Sequence, residues 1–210
     1  MTFKSIRKIA ILVFPGVDDI DFVGPYRVLQ AAIAAQEKLG GKQSLESCKL
    51  LTFAPYSPNS LLTSAHGIQF KPDGVFDESQ YLPMISSLSP VEGAYTEFKN
   101  GNLIKLLKEV SAANPQLLWG SVCTGAMLLG HAGILKAGNQ GSTHHSAKNE
   151  LEALGVLVKE DRVVFDGGIA TSGGVTSGID LALNLVAQII DSAAAENVAT
   201  GMEYEYFKAN

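Results

Sequence analysis

Apolar positions along the chain fall into two alternating patterns. Lys8-Ile-Ala-Ile-Leu-Val-Phe14 is a continuous, largely β-branched run that stops at Pro15-Gly16. Unbroken apolar character of this kind predicts a strand covered on both faces, as in a parallel sheet. Gly24-Pro25 then opens a helical pattern with Val28, Ala32, Ala35 and Leu39 on one stripe, ended by Gly40-Gly41. Ser47 to Ala54 reads as a second strand. The Pro-, Ser-, Asn- and Gly-rich stretch from Pro55 to Pro83 suits short strands or a hairpin, and Met84 to Leu88 suits another strand. Leu103, Leu106, Leu107 and Val110 lie at i, i+3, i+4 and i+7, the spacing of an amphipathic helix. Leu117 to Val122 is a strand that runs straight into a small-residue helix from Thr124 to about Gly133. A polar helix over Ser146 to Leu154 and short β runs near Val156, Val163 and Ile169 follow. Two helices close the chain, over Gly178 to Asp191 and from Ser192 to about Met202.

Strands alternating with helices predict an α/β protein: a flavodoxin-like three-layer sandwich on a mostly parallel central sheet. No linker composition and no internal repeat interrupts residues 1–210, so one domain is expected. Composition narrows the function. With 16 basic and 21 acidic residues the net charge is −5, and the basic residues are scattered, which argues against a nucleic-acid partner. No stretch approaches the roughly 18 continuous apolar residues of a membrane span. The basic start Met1 to Lys8 is followed by too short an apolar run for a signal peptide, and two cysteines are too few for a disulfide framework. A cytoplasmic protein is expected.

Two segments carry candidate chemistry. In Trp119-Gly-Ser-Val-Cys-Thr-Gly-Ala-Met-Leu-Leu129 an apolar strand ends on Cys123, and Gly125 and Ala126 are small enough for a tight turn into a helix. This is the layout of a nucleophile elbow, with Cys in place of Ser. An elbow lifts the side chain above the carboxyl end of the sheet, where open α/β folds bind ligands. It also sets sulfur at a helix N-terminus, where a depressed thiol pKa is expected. Cys48, inside an apolar strand, is expected to be an inert core residue. The second segment is Pro15-Gly-Val-Asp-Asp-Ile-Asp-Phe-Val-Gly-Pro25. Asp18 and Asp19 are expected to face solvent, or one of them to cap a helix. Asp21, between Ile20 and Phe22, is the carboxyl turned inward, where burial raises its pKa and suits it to proton transfer. The alternative is that Asp21 itself is the cap. His66 and His131 lack an acidic or Cys partner at ligand spacing, so no metal site is expected. Asp180 is read as a cap or dipole partner of the late helix.

The pairing of Phe-Pro…Asp-x-x-Gly-Pro with Ser-Val-Cys-Thr-Gly resembles the DJ-1/PfpI superfamily, which has the class I glutamine amidotransferase-like fold, and within it the isocyanide hydratases. Thr143-His144, Asp166-Gly167 and Ser172-Gly-Gly-Val-Thr-Ser-Gly-Ile-Asp180 look like the family's later segments. Asp rather than Glu at position 21, and Thr rather than His after the cysteine, are the hydratase-like combination. The resemblance implies hydration of an isocyanide to an N-formamide, through a thioimidate on Cys123, with Asp21 moving protons and Asp21 and Thr124 positioning water. It implies Val91, Gly125, Thr143 and His144 as substrate- or oxyanion-side positions, with His144 more structural than catalytic. It also implies a small-molecule substrate, no cofactor, and a homodimer with the Asp21 loop near the interface. One departure stands out. The family's Pro-Gly-Gly is matched here by Ser89-Pro90-Val91, and Pro90 has no N–H to offer a reacting group. Two other readings stay open. Other Cys-dependent hydrolase or deglycase chemistry is one. A ligand-sensing domain is the other, although the family's regulators add a basic DNA-binding extension that is not expected beyond Asn210.

Overall fold

The computed structural model describes residues 7–39, 44–76, 98–209 and the backbone of 84–88. In chain order its elements are β1 (Lys8–Leu12), α1 (Asp19–Leu39), β2 (Ser47–Thr52), β3 (Leu62–Thr63), β4 (Gln69–Phe70), β5 (Gly74–Val75) and β6 (Met84–Leu88). Then come α2 (Asn102–Ala113), β7 (Trp119–Cys123), α3 (Gly125–His131), β8 (Gln140–Gly141), α4 (Lys148–Ala153), β9 (Leu157–Val158), β10 (Val163–Asp166), β11 (Ile169–Ser172), α5 (Ser177–Ile189) and α6 (Ser192–Gly201).

Among the described residues seven strands form one sheet in the order β10-β11-β7-β6-β1-β2-β5. Every pairing is parallel except β10 with β11. All five residues of β7 and the last four of β1 are buried, which requires cover on both faces of the sheet. Two helix groups provide it: α1, α5 and α6 pack on one another, as do α2, α3 and α4. This is the expected flavodoxin-like sandwich. β1, β6 and β7 are adjacent, so the chain leaving β1 and the chain leaving β7 emerge at the same carboxyl end of the sheet.

The first helix differs from expectation in its start. It begins at Asp19, six residues before Pro25, and Pro25 sits inside it. Proline favours the first helical turn, and this preference suggested the later boundary. In the second turn Pro25 lacks only the N–H that would have bonded the Asp21 carbonyl. α5 crosses α1 here closely enough that a Cβ on Gly178 would lie 3.1 Å from both Pro25 Cγ and Val122 Cγ1. That crossing packs the second turn of α1 and the end of β7 against the same glycine. The β3–β4 hairpin docks on the turn after β1, with Gly16 N–H donating to Thr63 O and Ala65 N–H donating to Val17 O.

Candidate active site

β7 delivers Cys123 to the carboxyl edge of the sheet and reverses there. Cys123 has φ 59°, a left-handed conformation that an L-residue adopts only under constraint. The constraint is visible: Cys123 N–H donates to Gly173 O (2.9 Å), and Thr143 Oγ1 donates to Cys123 O (2.9 Å). Thr124 and the short helix α3 follow, completing the elbow expected from the sequence. The backbone N–H groups of Thr124 and Val175 both point at Sγ.

Opposite the sulfur stands Asp21. Its side chain is fully buried, and neither carboxyl oxygen has a regular hydrogen-bond partner among the described residues. The group it faces is the Cys123 thiol. An unpaired carboxylate in a dry site is costly, so burial, reinforced by the charge of Asp18, pushes the Asp21 pKa up to about 9. Asp21 therefore carries a proton at neutral pH. Asp21 is not the helix cap; that role falls to Asp18, whose Oδ1 accepts from Ile20 N–H (3.1 Å).

Three expectations are corrected here. The Cys123 thiol is not depressed: the residue is 0% exposed, and burial together with the Asp21 charge pushes its pKa up to about 12 against the pull of the Val175 and Thr124 N–H groups. A helix N-terminus favours thiolate only where burial does not outweigh it. Asp18 and Asp19 do not face solvent, since both are buried, and the other limb of that expectation, that one of them caps a helix, holds for Asp18. And His66 has an acidic partner, its Nδ1 lying 2.6 Å from Asp19 Oδ2. Ser64 Oγ also donates to Asp19. Burial would raise the Asp19 pKa, but the hydrogen bonds from Ser64 and His66 outweigh it and hold that carboxyl below its ordinary value. His131 likewise meets Glu150 at 3.4 Å. Sequence spacing missed both pairs because the partners meet only in the folded chain.

A matching model of the DJ-1/PfpI family spans residues 7–188. The isonitrile hydratase of Pseudomonas putida is 31% identical over 197 residues, covering 94% of this chain and 78% of that protein. Among solved structures, a ThiJ/PfpI family protein from Pseudomonas syringae superposes with a TM-score of 0.76 at 25% identity, covering 99% of this chain and 79% of that one. The DJ-1beta structure of Drosophila melanogaster gives 0.76 at 18% identity, covering 96% and 100%, a likeness of fold. The chain belongs to the DJ-1/PfpI family.

On this DJ-1/PfpI fold the structure brings Cys123, Asp21, Thr124 and Thr143 together. Thr124 is buried and caps α3 by position, though its side chain makes no capping bond. Gly125 is the buried first residue of α3. Thr143 holds the backbone of the elbow through its bond to Cys123 O. His144 stands beside the site rather than in it. Its Nδ1 accepts from Ser146 N–H (3.3 Å), and its ring lies so close to Gly174 that a Cβ there would come within 2.5 Å of Cδ2. Burial and the neighbouring His145 lower its pKa, which favours the neutral form of this half-buried imidazole. Val91, with Ser89 and Pro90, lies outside the described residues.

Val175 is the site residue that sequence reasoning passed over. A β-branched residue at φ 40° is strongly strained, and its N–H is directed at the sulfur. Gly173-Gly174 ahead of it was the available signal. A polar cleft of about 370 Å³ opens from Thr143, Gly174 and Val175 toward His145, Lys159 and Arg162. Among the described residues no three His, Cys, Asp or Glu side chains come together as a metal site, and no helix is long and apolar enough to cross a membrane.

Proposed function

We propose that this protein hydrates an isocyanide to the corresponding N-formamide through a covalent thioimidate on Cys123. The observation that carries the reading is the buried Asp21 carboxyl, without a regular partner, set against the thiol at the elbow. Kinship to an isonitrile hydratase over most of the chain supports the substrate class.

A group that is protonated at neutral pH and faces the sulfur suits both halves of such a reaction. In the first, Cys123 Sγ attacks the terminal carbon. That carbon takes a proton from Asp21, and the thiol proton passes to the Asp21 carboxylate so formed. The product is an S-linked thioimidate, R–N=CH–S. In the second, water held by Asp21 and Thr124 adds its oxygen to the same carbon while nitrogen gains a proton. The C–S bond then breaks, the hydroxyl proton returns to sulfur through Asp21, and R–NH–CHO leaves. The sum is isocyanide plus water, with no electrons exchanged. While Asp21 holds its proton it carries no charge to raise the Cys123 pKa, and its O–H faces the sulfur as a donor.

In this reading residues 1–210 act as one domain. The exposed Ile20 and Val23 on α1, beside the site, are the apolar surface through which a homodimer would form. The test is incubation with a simple alkyl isocyanide, following formamide by mass spectrometry. Formamide from the wild type and none from Cys123→Ala supports the reading. No formamide from either, or equal amounts from both, overturns it.

A further inference from the structure

The loop that carries Val175 is held by a side chain with no place in the chemistry above. Arg162 immediately precedes β10. Its carbonyl accepts from Gly173 N–H (3.0 Å), and its Nη2 donates to Thr176 Oγ1 (3.1 Å). One residue thus grips the loop at both ends, and between these grips lies Val175, at φ 40° with its N–H on the Cys123 sulfur. Gly173 O, in the same loop, accepts from Cys123 N–H.

The guanidinium is itself fixed. Nε and Nη2 donate to Asp180 Oδ2 at 2.9 and 2.6 Å, and Asp180 is fully buried in the first turn of α5. The remaining capacity of Asp180 is taken by the C-terminal segment, with Tyr204 Oη donating to Oδ2 (3.1 Å) and Phe207 N–H to Oδ1 (2.9 Å). The Phe207 ring lies 4.9 Å beneath the guanidinium. Asn184 secures the same segment, donating to Phe207 O and accepting from Ala209 N–H. Asp180 is not the cap of α5, a position held by Thr176; from the first turn, where its charge suits the helix dipole as expected, it also anchors this network.

We propose that Arg162 is a positioning residue for Cys123: anchored by Asp180 and the C-terminal segment, it braces residues 173–176 so that the strained Val175 N–H stays on the sulfur. Strain of this kind persists only when surrounding structure over-determines it, and the two grips of Arg162 do so. A hydrogen bond to sulfur stabilises thiolate over thiol, so loosening the brace raises the thiol pKa without touching a reacting atom. The acidic groups that bear on Cys123, Asp21 in α1 and its cap Asp18, are left unaltered by changes at the brace.

The inference rests on Cys123 being the nucleophile, and the test separates the two. In the full chain, the rate of Cys123 alkylation by iodoacetamide, which is proportional to the thiolate fraction even well below the pKa, is followed by peptide mapping from about pH 6 to about pH 10, against Cys123→Ser. Arg162→Lys keeps a cation for Asp180 but cannot fork between Asp180 and Thr176. Thr176→Val removes only the exposed grip and leaves the buried Arg162–Asp180 pair, and with it the fold, in place. Both profiles are expected to move to higher pH by about one unit, a tenfold smaller thiolate fraction at each pH. The two changes together should move them no further than one alone. A merely structural clamp would lower the melting temperature and leave the profiles in place, and unshifted profiles in folded Thr176→Val overturn the proposal. A wild type indistinguishable from Cys123→Ser overturns the nucleophile assignment, and the positioning role with it.

Discussion

Cys48 and Cys123 both lie in central parallel strands, both are free thiols, and both are essentially unexposed, at 1% and 0%. Burial pushes both pKa values up, with Asp73 adding to the effect at Cys48 and Asp21 at Cys123. Burial therefore does not tell the two cysteines apart. The difference lies in the backbone and in what faces the sulfur. Cys48 continues a regular strand, paired with Ile9 in the ladder and with its carbonyl bonded by Gln30. Cys123 ends a strand at φ 59°, with two N–H groups aimed at its sulfur and a buried carboxyl that has no regular partner of its own. Core polar groups are as a rule paired, and the buried hydroxyls of Thr52 and Ser121 that lack a partner cost far less than a carboxyl. The second arrangement tolerates strain and an orphaned carboxyl together, which is the mark of a site shaped for something other than stability.

The sharpest way to break that contrast is to remove each thiol. Cys123→Ala is expected to reduce formamide production to the uncatalysed level, whereas Cys48→Ala should keep the turnover number and lose only stability, by melting temperature. Equal loss of activity in both variants would dissolve the distinction.

Asp21→Asn comes next. Turnover should fall by roughly 10²-fold or more, the scale of general acid–base assistance. The same variant has a stability signature with a definite sign. The folded-state pKa of Asp21 is raised from an ordinary 3.8 to about 9, so between those values the folded protein holds a proton that the unfolded chain has released. Stability contributed by this group is greatest below about pH 4 and is lost as pH rises toward 9, with a slope of at most roughly 1.4 kcal/mol per pH unit. Asparagine abolishes that slope. Denaturant titrations between these limits should show the stability difference swinging in favour of Asp21→Asn as pH increases, and parallel curves would contradict the raised pKa.

A smaller effect tests how the two halves of the site are held in register. Gly178→Ala inserts a methyl against Pro25 and Val122 at the crossing of α1 and α5, and overpacking there should cost about 1–3 kcal/mol. In a protein of this size that lowers the melting temperature by about 2–4 °C per kcal/mol. Turnover should suffer as well, because the methyl pushes Asp21 away from Cys123. Smallest of all is His66→Gln. The ring is mostly exposed, so losing its contact with Asp19 should change stability by less than about 1 kcal/mol and leave turnover within twofold.

Much of this was legible in the chain itself. Continuous apolar runs such as Ile9 to Phe14 and Leu117 to Val122 announced strands covered on both faces, and these became β1 and β7. The i, i+3, i+4, i+7 spacing of Leu103 to Val110 marked α2. The abrupt passage from strand to small residues at Cys123 marked the elbow, and Asp21 between two apolar neighbours was correctly read as inward. These are local signals, carried by residues close in sequence and set by steric and hydrophobic periodicity.

What only the tertiary structure decided depends on residues far apart. The start of α1 was misplaced because the preference of proline for a first turn is local, while its accommodation in a second turn depends on α5 packing against it. Asp19 found Ser64 and His66 through a hairpin some 45 residues away, and Asp180, in the first turn of its own helix, also found Arg162, Tyr204 and Phe207. The direction of the Cys123 pKa was settled in the same way. A helix N-terminus and a neighbouring carboxyl pull in opposite senses, and the depth of burial, a property of the whole packed molecule, determines which prevails. Sequence pointed to the candidate residues and to the elements on which they ride. Their charge states and the braces that hold them follow from desolvation and from contacts that exist only once the chain has closed on itself.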